Sequence, residues 1–443
     1  MIVGHGGRES ALASRMAEHS ELYAFAGHLN PSLVRYARAS GGKIQIGDVC
    51  DAQAVAEFAR ANEIDMAMVS ADEPLESGVV DALLAQGTRA VGPTRAGAEI
   101  EWNKTFARSL LLEVAPEATP LLRVARRAEE VDEAIASFGS TPVVVKPSGL
   151  TGGKGVKVMG PHLASHSEAR DYALSLLAGD GAGESVLIEE KIVGAEFTIQ
   201  AISDGRTVVF PNSTYDYPYR FDGDEGPGTG GMGSLSMAEA TLPFMSAEHY
   251  AQACSIVERV IARLSAEGRR FSGVMNSGFF ATASGVQVIE FNARFGDPEC
   301  MNIMALFDGD WTRVMERICA GELTREDVRL RDEASLVLYL VSPDYALPRG
   351  AAAPTPYEFE LDVAAMERAG CNVFFSSAVH VADNTYRTVG TSRAVALVTT
   401  APGLREAHAR IVELASSVGM LQWRRDVGDE RYLQGLSGLV RSA

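Results

Sequence analysis

Short β-branched runs alternate with longer stretches whose apolar residues recur every three to four positions, the pattern of strands interleaved with helices. Residues 1–3, 22–26, 65–70 and 89–91 predict strands with helices between them, and so a small doubly wound parallel sheet through about residue 95. Residues 99–114 predict a single helix, 143–145 a strand, 165–177 a helix covering a sheet, and 186–192 another strand. Further on, a helix is expected at 247–266, strands at 273–280 and 286–291, and a helix at 298–306. From about residue 334 a third unit is expected, with strands at 335–341, 373–381 and 394–400 and a helix at 404–418. The predicted class is α/β and α+β in several domains: 1–95, 96–325 with a lid-like part at about 116–190, and 326–443.

Three stretches break the apolar pattern with chemistry. In VQVIEFNAR, residues 286–294, strand alternation points Glu290, Asn292 and, if the strand persists, Arg294 the same way. A carboxylate and an amide oxygen suit a hard cation that leaves positions for phosphate and water, and Arg294 would face the anion it holds. An amphipathic edge strand with a solvated polar face is the plainer alternative. In VVVKPSGLTGGKGV, residues 143–156, a strand delivers Lys146 into a loop with Gly149, Gly152, Gly153 and Gly155 around Lys154. Glycines let backbone amides wrap a phosphate and lysines add charge, although the order is not GxxxxGK[ST]. At the N-terminus a strand, the turn Gly4-His5-Gly6-Gly7-Arg8-Glu9 and a helix start make an anion site. The third glycine of GxGxxG is missing, which counts against a dinucleotide fold. Arg8 either meets the bound anion or caps or pairs locally with Glu9 or another carboxylate of the first domain.

Composition narrows the field. A chain of 443 residues exceeds one hydrophobic core, and 46% apolar with 22% charged residues is globular. No run approaches the apolar length of a membrane span, and no basic-then-apolar leader opens the sequence. The formal charge of −18, without a basic patch, opposes nucleic-acid and anionic-membrane partners. Cys50, Cys254, Cys300, Cys319 and Cys371 are scattered and never in CxxC spacing, which reads as thiols of a reducing cytoplasm without structural zinc.

Taken in order, GHGGRE, EPL at 73–75, GPT at 92–94, NKTFAR at 103–108, the lysine and glycine loop, IEEKIVGAE at 188–196, GPGTGGMG at 226–233 and EFNARFGDPE at 290–299 resemble the glycinamide ribonucleotide synthetase family of ATP-grasp ligases. The resemblance covers nearly the whole chain. It implies an ATP-grasp fold between a small α/β domain and a C-terminal α+β domain. It also implies ATP with Mg2+ or Mn2+, and an ADP-forming ligase that joins a carboxylate to an amine through an acyl phosphate. Lys104 becomes a phosphate lysine; the backbone at Glu189, Glu190, Lys191 and Ile192 would meet adenine, and Glu196 the ribose. Glu290 and Asn292 would hold the metal, and Lys146 and Arg294 would act on the reacting groups. Gly6, Gly7, Arg8, Glu9, Asp72, Asp216, Arg220, Gly231, Asp297 and Glu299 become substrate positions. The loop at 223–233 is expected to close over the site. The implied partners are a small amine and an amino acid, with neither nucleic acid nor membrane, in a cytoplasmic monomer or homodimer.

Departures from the family pattern gather on the acceptor side. DHKR is Asp216-Tyr217-Pro218-Tyr219 with Arg220 one place late, and PGNAG is Ala26-Gly27-His28-Leu29-Asn30. PExPL is Ala71-Asp72-Glu73-Pro74-Leu75, GGYP is Pro343-Asp344-Tyr345-Ala346, HAGT is Phe375-Ser376-Ser377-Ala378, and Ser148 replaces an aspartate. These changes point to a paralogue with another amine or acid as the alternative function. A catalytically silent ATP-binding homologue is the third reading, opposed by the retained Lys146, Glu290, Asn292 and Arg294.

Overall fold

The computed structural model describes residues 1–149, 155–179, 185–347 and 355–442. The N-terminal strands build a five-stranded sheet in the order Ile44–Ile46, Ala24–Ala26, Ile2–Val3, Met66–Val69, Arg89–Val91, and every pairing is parallel. Strand Ile44–Ile46 had no separate signal: three residues with Gln45 in the middle and two exposed positions carry too little periodicity. The order reverses between Ile2–Val3 and Met66–Val69, so the loops after these two strands, His5–Gly6 and Ala71–Asp72, flank the crevice where open parallel sheets bind ligands.

The expected single helix over 99–114 is two, Arg95–Trp102 and Lys104–Val114. Asn103 leaves the helical region and uses its side chain to accept from Phe106 N at 3.0 Å, which starts the second helix. That break turns Glu101 and Lys104 into one cleft.

A four-stranded antiparallel sheet of Leu122–Ala125, Val186–Glu190, Val143–Pro147 and Lys157–Val158 carries helices Ala128–Ser137 and His166–Ala178 on one face. It has its own apolar cluster around Val131, Val145, Ala169 and Ile188, distinct from the main core. The strand expected to reach residue 192 stops at Glu190.

The largest sheet holds the chemistry. Its antiparallel path runs Gly285–Asn292, Gly273–Thr282, Ala195–Ser203, Thr214–Asp216, Gly233–Ser236, Ala334–Leu340, Val395–Ala401, Cys371–Phe375. Ala334–Leu340 pairs with Gly233–Ser236 on one side and Val395–Ala401 on the other, so the sheet runs on without a break past residue 325. The expected strand over 373–381 is cut at Ser376-Ser377 into Cys371–Phe375, in this sheet, and Ala378–Ala382, in a separate three-stranded sheet. Among the described residues no helix is long and apolar enough to cross a membrane.

Candidate active site

Regular alternation along Gly285–Asn292 would put Val286, Val288, Glu290 and Asn292 on one face and drive the two polar groups into the core. A β-bulge prevents this. Glu290 pairs with Gly278 while Val288 pairs with Phe279, which leaves Ile289 as the extra residue. Faces switch at that point, so Val286, Val288 and Phe291 are buried, Glu290 is exposed and Asn292 is half-buried. Arg294 lies beyond the strand end, outside the expected polar row, and its guanidinium folds back on it. Nη2 donates to Asn292 Oδ1 at 3.4 Å and Nη1 to Phe295 O at 3.1 Å, while Nε lies 3.2 Å from Glu101 Oε1, misaligned for a hydrogen bond.

Lys146, on the facing lid strand, reaches Glu189 Oε2 at 2.7 Å. The same carboxylate accepts from Arg108 Nε at 2.5 Å and Nη2 at 2.9 Å. Arg108 also donates to Val288 O at 3.2 Å and to the bulge carbonyl of Ile289 at 2.8 Å. One buried arginine therefore ties the bulge that exposes Glu290 to the carboxylate that aims Lys146. Burial would raise Glu189, but Arg108 and Lys146 overcome it and hold it at about 2. Its side chain is thus a support for Lys146, with no free edge for a nucleotide. Lys104 donates to Gly149 O at 2.7 Å, at the mouth of the glycine loop, and burial lowers its pKa against the pull of Glu290. Glu101, Lys104, Arg108, Lys146, Glu189 and Glu290 line one cleft.

Of the other nucleotide positions, Gly149 and Gly155 flank the loop, while Gly152, Gly153 and Lys154 lie outside the described residues. Glu190 accepts from Leu121 N at 2.7 Å and Lys191 Nζ donates to Met159 O at 3.2 Å, so both side chains fasten the lid. Ile192 is half-buried in the link to the central sheet. Glu196, on Ala195–Ser203, is pushed up to about 7 by burial, with Glu290 and Asp224 adding to it.

On the acceptor side, the helix starts at Gly7, and its first amides are already claimed: Gly6 N donates to Glu9 Oε2 at 2.7 Å and Arg8 N to Asp297 Oδ2 at 3.4 Å. Arg8 is buried, with Nε to Glu9 Oε1 at 2.6 Å and Nη1 to Phe295 O at 2.9 Å. Local pairing with Glu9 is therefore the geometry found. Burial would raise Asp72, but Arg294 and Arg8 hold it below its ordinary value, which sets a charged carboxylate opposite both arginines. Asp216 and Glu299 are pushed up, first by burial; Glu299 and Glu196 add to the shift of Asp216, while Arg294 and Arg393 oppose that of Glu299. A Cβ on Gly231, at φ +98°, would lie 2.6 Å from Pro298 Cδ and 3.3 Å from Asp216 Oδ2, so this close approach needs glycine. Asp297 accepts from Tyr339 Oη at 2.6 Å and pairs with Arg393 at 3.1 Å. Arg220 stands apart from the cleft, fully buried between Tyr345 O at 3.2 Å and Gln422 Oε1 at 2.7 Å.

The loop expected to cover the site over 223–233 is partly built in. Tyr219–Phe221 and Glu225–Gly228 form a hairpin, and Met232 is fully buried before strand Gly233–Ser236. Two of the departing segments also meet: His28 Nε2 lies 2.9 Å from Ser376 O, and Asn30 Nδ2 donates to Phe375 O at 2.8 Å.

Sequence reasoning missed Arg108, Glu101, Tyr339 and Arg393. Arg108 closes the quoted motif NKTFAR, and a charge on an otherwise apolar helix face was its available signal. Arg393 and Tyr339 had none, because their role depends on strands brought together from far along the chain.

A lid sheet over a large antiparallel sheet, two facing lysines and an open carboxylate–amide pair between them define an ATP-grasp ligase. Residues 102–300 match the family model for the phosphoribosylglycinamide synthetase ATP-grasp (A) domain, and residues 1–101 that for its N domain. The chain is 37% identical to a phosphoribosylamine–glycine ligase of Thermococcus kodakarensis, with 100% of this chain and 98% of that one covered. It is 36% identical to the ligase of that name from Pyrococcus furiosus, covering 100% and 97%. The chain belongs to the phosphoribosylglycinamide synthetase family. Among solved structures, the phosphoribosylamine–glycine ligase of Thermotoga maritima superposes with a TM-score of 0.78 at 23% identity, covering 96% and 98%. The biotin carboxylase domain of the Hydrogenobacter thermophilus 2-oxoglutarate carboxylase, a complex with MgADP and bicarbonate, gives 0.70 at 15% identity, covering 98% and 94%. At these identities the two structures bear on the fold.

Proposed function

We propose that this chain joins glycine to 5-phosphoribosylamine with ATP, giving glycinamide ribonucleotide, ADP and phosphate. The observation that carries the reading is the meeting of Lys104, Lys146 and the open Glu290 carboxylate in one cleft, with Arg294 at its end. Phosphoryl transfer asks for positioning and charge neutralisation, and a binding module has no need of all four groups. Glu290 and Asn292 fit a hard divalent cation: both offer oxygen, and among the described residues the Glu290 carboxylate has no hydrogen-bond partner. Magnesium or manganese, bound there with the nucleotide, would neutralise phosphate charge. Lys146, aimed by Glu189, and Lys104 hold the triphosphate. Arg294 grips the substrate carboxylate and then its acyl phosphate, and the amine attacks from the crevice between His5–Gly6 and Ala71–Asp72. The division of labour follows the boundaries 1–95 for the acceptor, 96–325 for ATP and 326–443 for closing the site from behind. Five free cysteines fit a cytoplasmic setting.

The test is mass spectrometry of the products with glycine and 5-phosphoribosylamine. Stoichiometric ADP and the ribonucleotide amide are expected; AMP as the stoichiometric product, or no amide with this pair while another amine reacts, would overturn the reading.

A further inference from the structure

From the geometry around the Asp297 carboxylate we infer that Arg393 is a positioning residue, holding the glycine strap at 229–231 closed on the acceptor side so that the acyl phosphate waits for its amine. The inference rests on the ligase reading above and adds to it a residue from the far end of the chain. Asp297, a residue the sequence marks as substrate-side, is also a hub: it accepts from Arg8 N on the first helix and from Tyr339 Oη, and pairs with Arg393. Arg393 is 8% exposed and lies with its guanidinium 4.2 Å from the Tyr339 ring centre. Its Nη1 donates to Gly231 O at 2.9 Å, to Asp297 O at 2.9 Å, and to Gly230 O. The strap is thereby pressed against Pro298 and Asp216, where Gly231 allows no side chain.

Three features distinguish this from an incidental buried ion pair. Nη1 shares its two hydrogens among two successive strap carbonyls and the backbone of Asp297 while Nη2 faces the Asp297 side chain, a planar arrangement that lysine cannot copy. The strap is otherwise tied mainly at its ends, by Thr229 N and Oγ1 to Pro218 O at 2.7 and 2.9 Å and by Met232 N to Tyr217 O at 2.8 Å. Between them the carbonyls of Gly230 and Gly231 are held by Arg393, and Gly230 N reaches Tyr345 Oη at a long 3.4 Å. Finally, the strap joins the hairpin strand Glu225–Gly228 to the buried strand Gly233–Ser236 and lies against Asp216, so on the ligase reading it would limit the access of water from that side. If the strap lifts, water takes the place of the amine: it attacks the acyl phosphate, the carbon–oxygen or phosphorus–oxygen bond breaks, and free carboxylate and inorganic phosphate leave. The net reaction is then ATP and water to ADP and phosphate.

The experiment compares wild type, Arg393→Ala, Arg393→Lys and Tyr339→Phe, reading ADP by a coupled assay and amide by mass spectrometry in the same samples. Wild type should give one ADP per amide. Arg393→Ala should raise ADP per amide about tenfold, the worth of one charge-assisted contact, with the KM for ATP little changed. Lysine should leave most of the leak, and Tyr339→Phe, which keeps the core filled, should show a smaller leak of the same sign. A ratio that stays at one in all three variants overturns the assignment, as does full rescue by lysine, whichever variants fold poorly. Hydrogen exchange at 226–232 with ATP bound, which needs no turnover, should speed up in Arg393→Ala and Tyr339→Phe; unchanged exchange there also overturns it. Wild type that makes no amide from this substrate pair overturns the proposed function instead, and the exchange arm still decides the role of Arg393.

Discussion

Two buried glutamates in the same cleft face opposite electrostatic problems, and their pH behaviour should separate. Glu189 sits between Arg108 and Lys146 and is held at about 2, below the ordinary 4.5. A lowered carboxyl contributes stability that is whole above 4.5 and is lost as the pH falls from 4.5 through 2. Glu101 is pushed up to about 7 by burial, which Arg294 only partly offsets. A raised carboxyl contributes stability below 4.5 that is lost as the pH climbs through 7. Urea midpoints across pH should therefore show that Glu101→Gln flattens the decline toward neutral pH, while Glu189→Gln removes the acid-side loss. The second variant also leaves the buried Arg108 and the half-buried Lys146 without their anion, and it should cost about 3–5 kcal/mol at neutral pH by denaturant titration. An unchanged midpoint would mean that the triad does not hold the lid strand to the helix. Of this cluster, Lys104, Lys146 and Glu189 were legible as motif members; Arg108 sits in the same motif NKTFAR as Lys104, but no local signal pairs it with Glu189, 81 positions on.

At the scale of the element, the metal-side strand works through one irregularity. A strand read by alternation has Glu290 and Asn292 sharing a face with Val286 and Val288, and only the extra residue Ile289 separates polar from apolar. Deleting Ile289 would leave a regular strand in which Val286, Val288 and Phe291 keep the core face and Glu290 and Asn292 the other, at the cost of the bulge carbonyl that accepts from Arg108. We expect the variant to keep its fold with only a modest fall in thermal stability, and a collapse of the fold in circular dichroism melts would contradict the account of the bulge. Glu290→Ala removes an exposed carboxylate and leaves no cavity, so turnover should fall at least about a hundredfold while melting stays near wild type. Circular dichroism melts alongside kinetics at saturating magnesium separate the two effects. The bulge itself was invisible in the sequence, since bulges follow from pairing with a neighbour, here Gly273–Thr282, and the local run VQVIEFN carries no mark of it.

For the whole molecule, the central sheet decides what can fold alone. Ala334–Leu340 is fully buried in its middle, with a strand on each side. A fragment ending at residue 325 would leave Gly233–Ser236 as a bare edge and expose Leu235, so it should be insoluble or bind hydrophobic dye, as checked by expression and dye fluorescence. The sequence by itself determined the class of chemistry and most elements: helix Ala247–Ala266, the lysine strand, the glycine turn and the polar motif are local patterns, set by periodicity and side-chain chemistry over a few residues. Tertiary structure alone decided that Asp297 is a hub, that Arg8 pairs with Glu9, that Arg220 faces away from the cleft, and that Arg393 reaches the strap. All but the Arg8–Glu9 pair depend on segments far apart in the chain, as in the contact of Arg8 N with Asp297 across 289 positions. Local propensity says which face a side chain takes on its own element, but its partner is fixed only when the sheet brings distant strands into register.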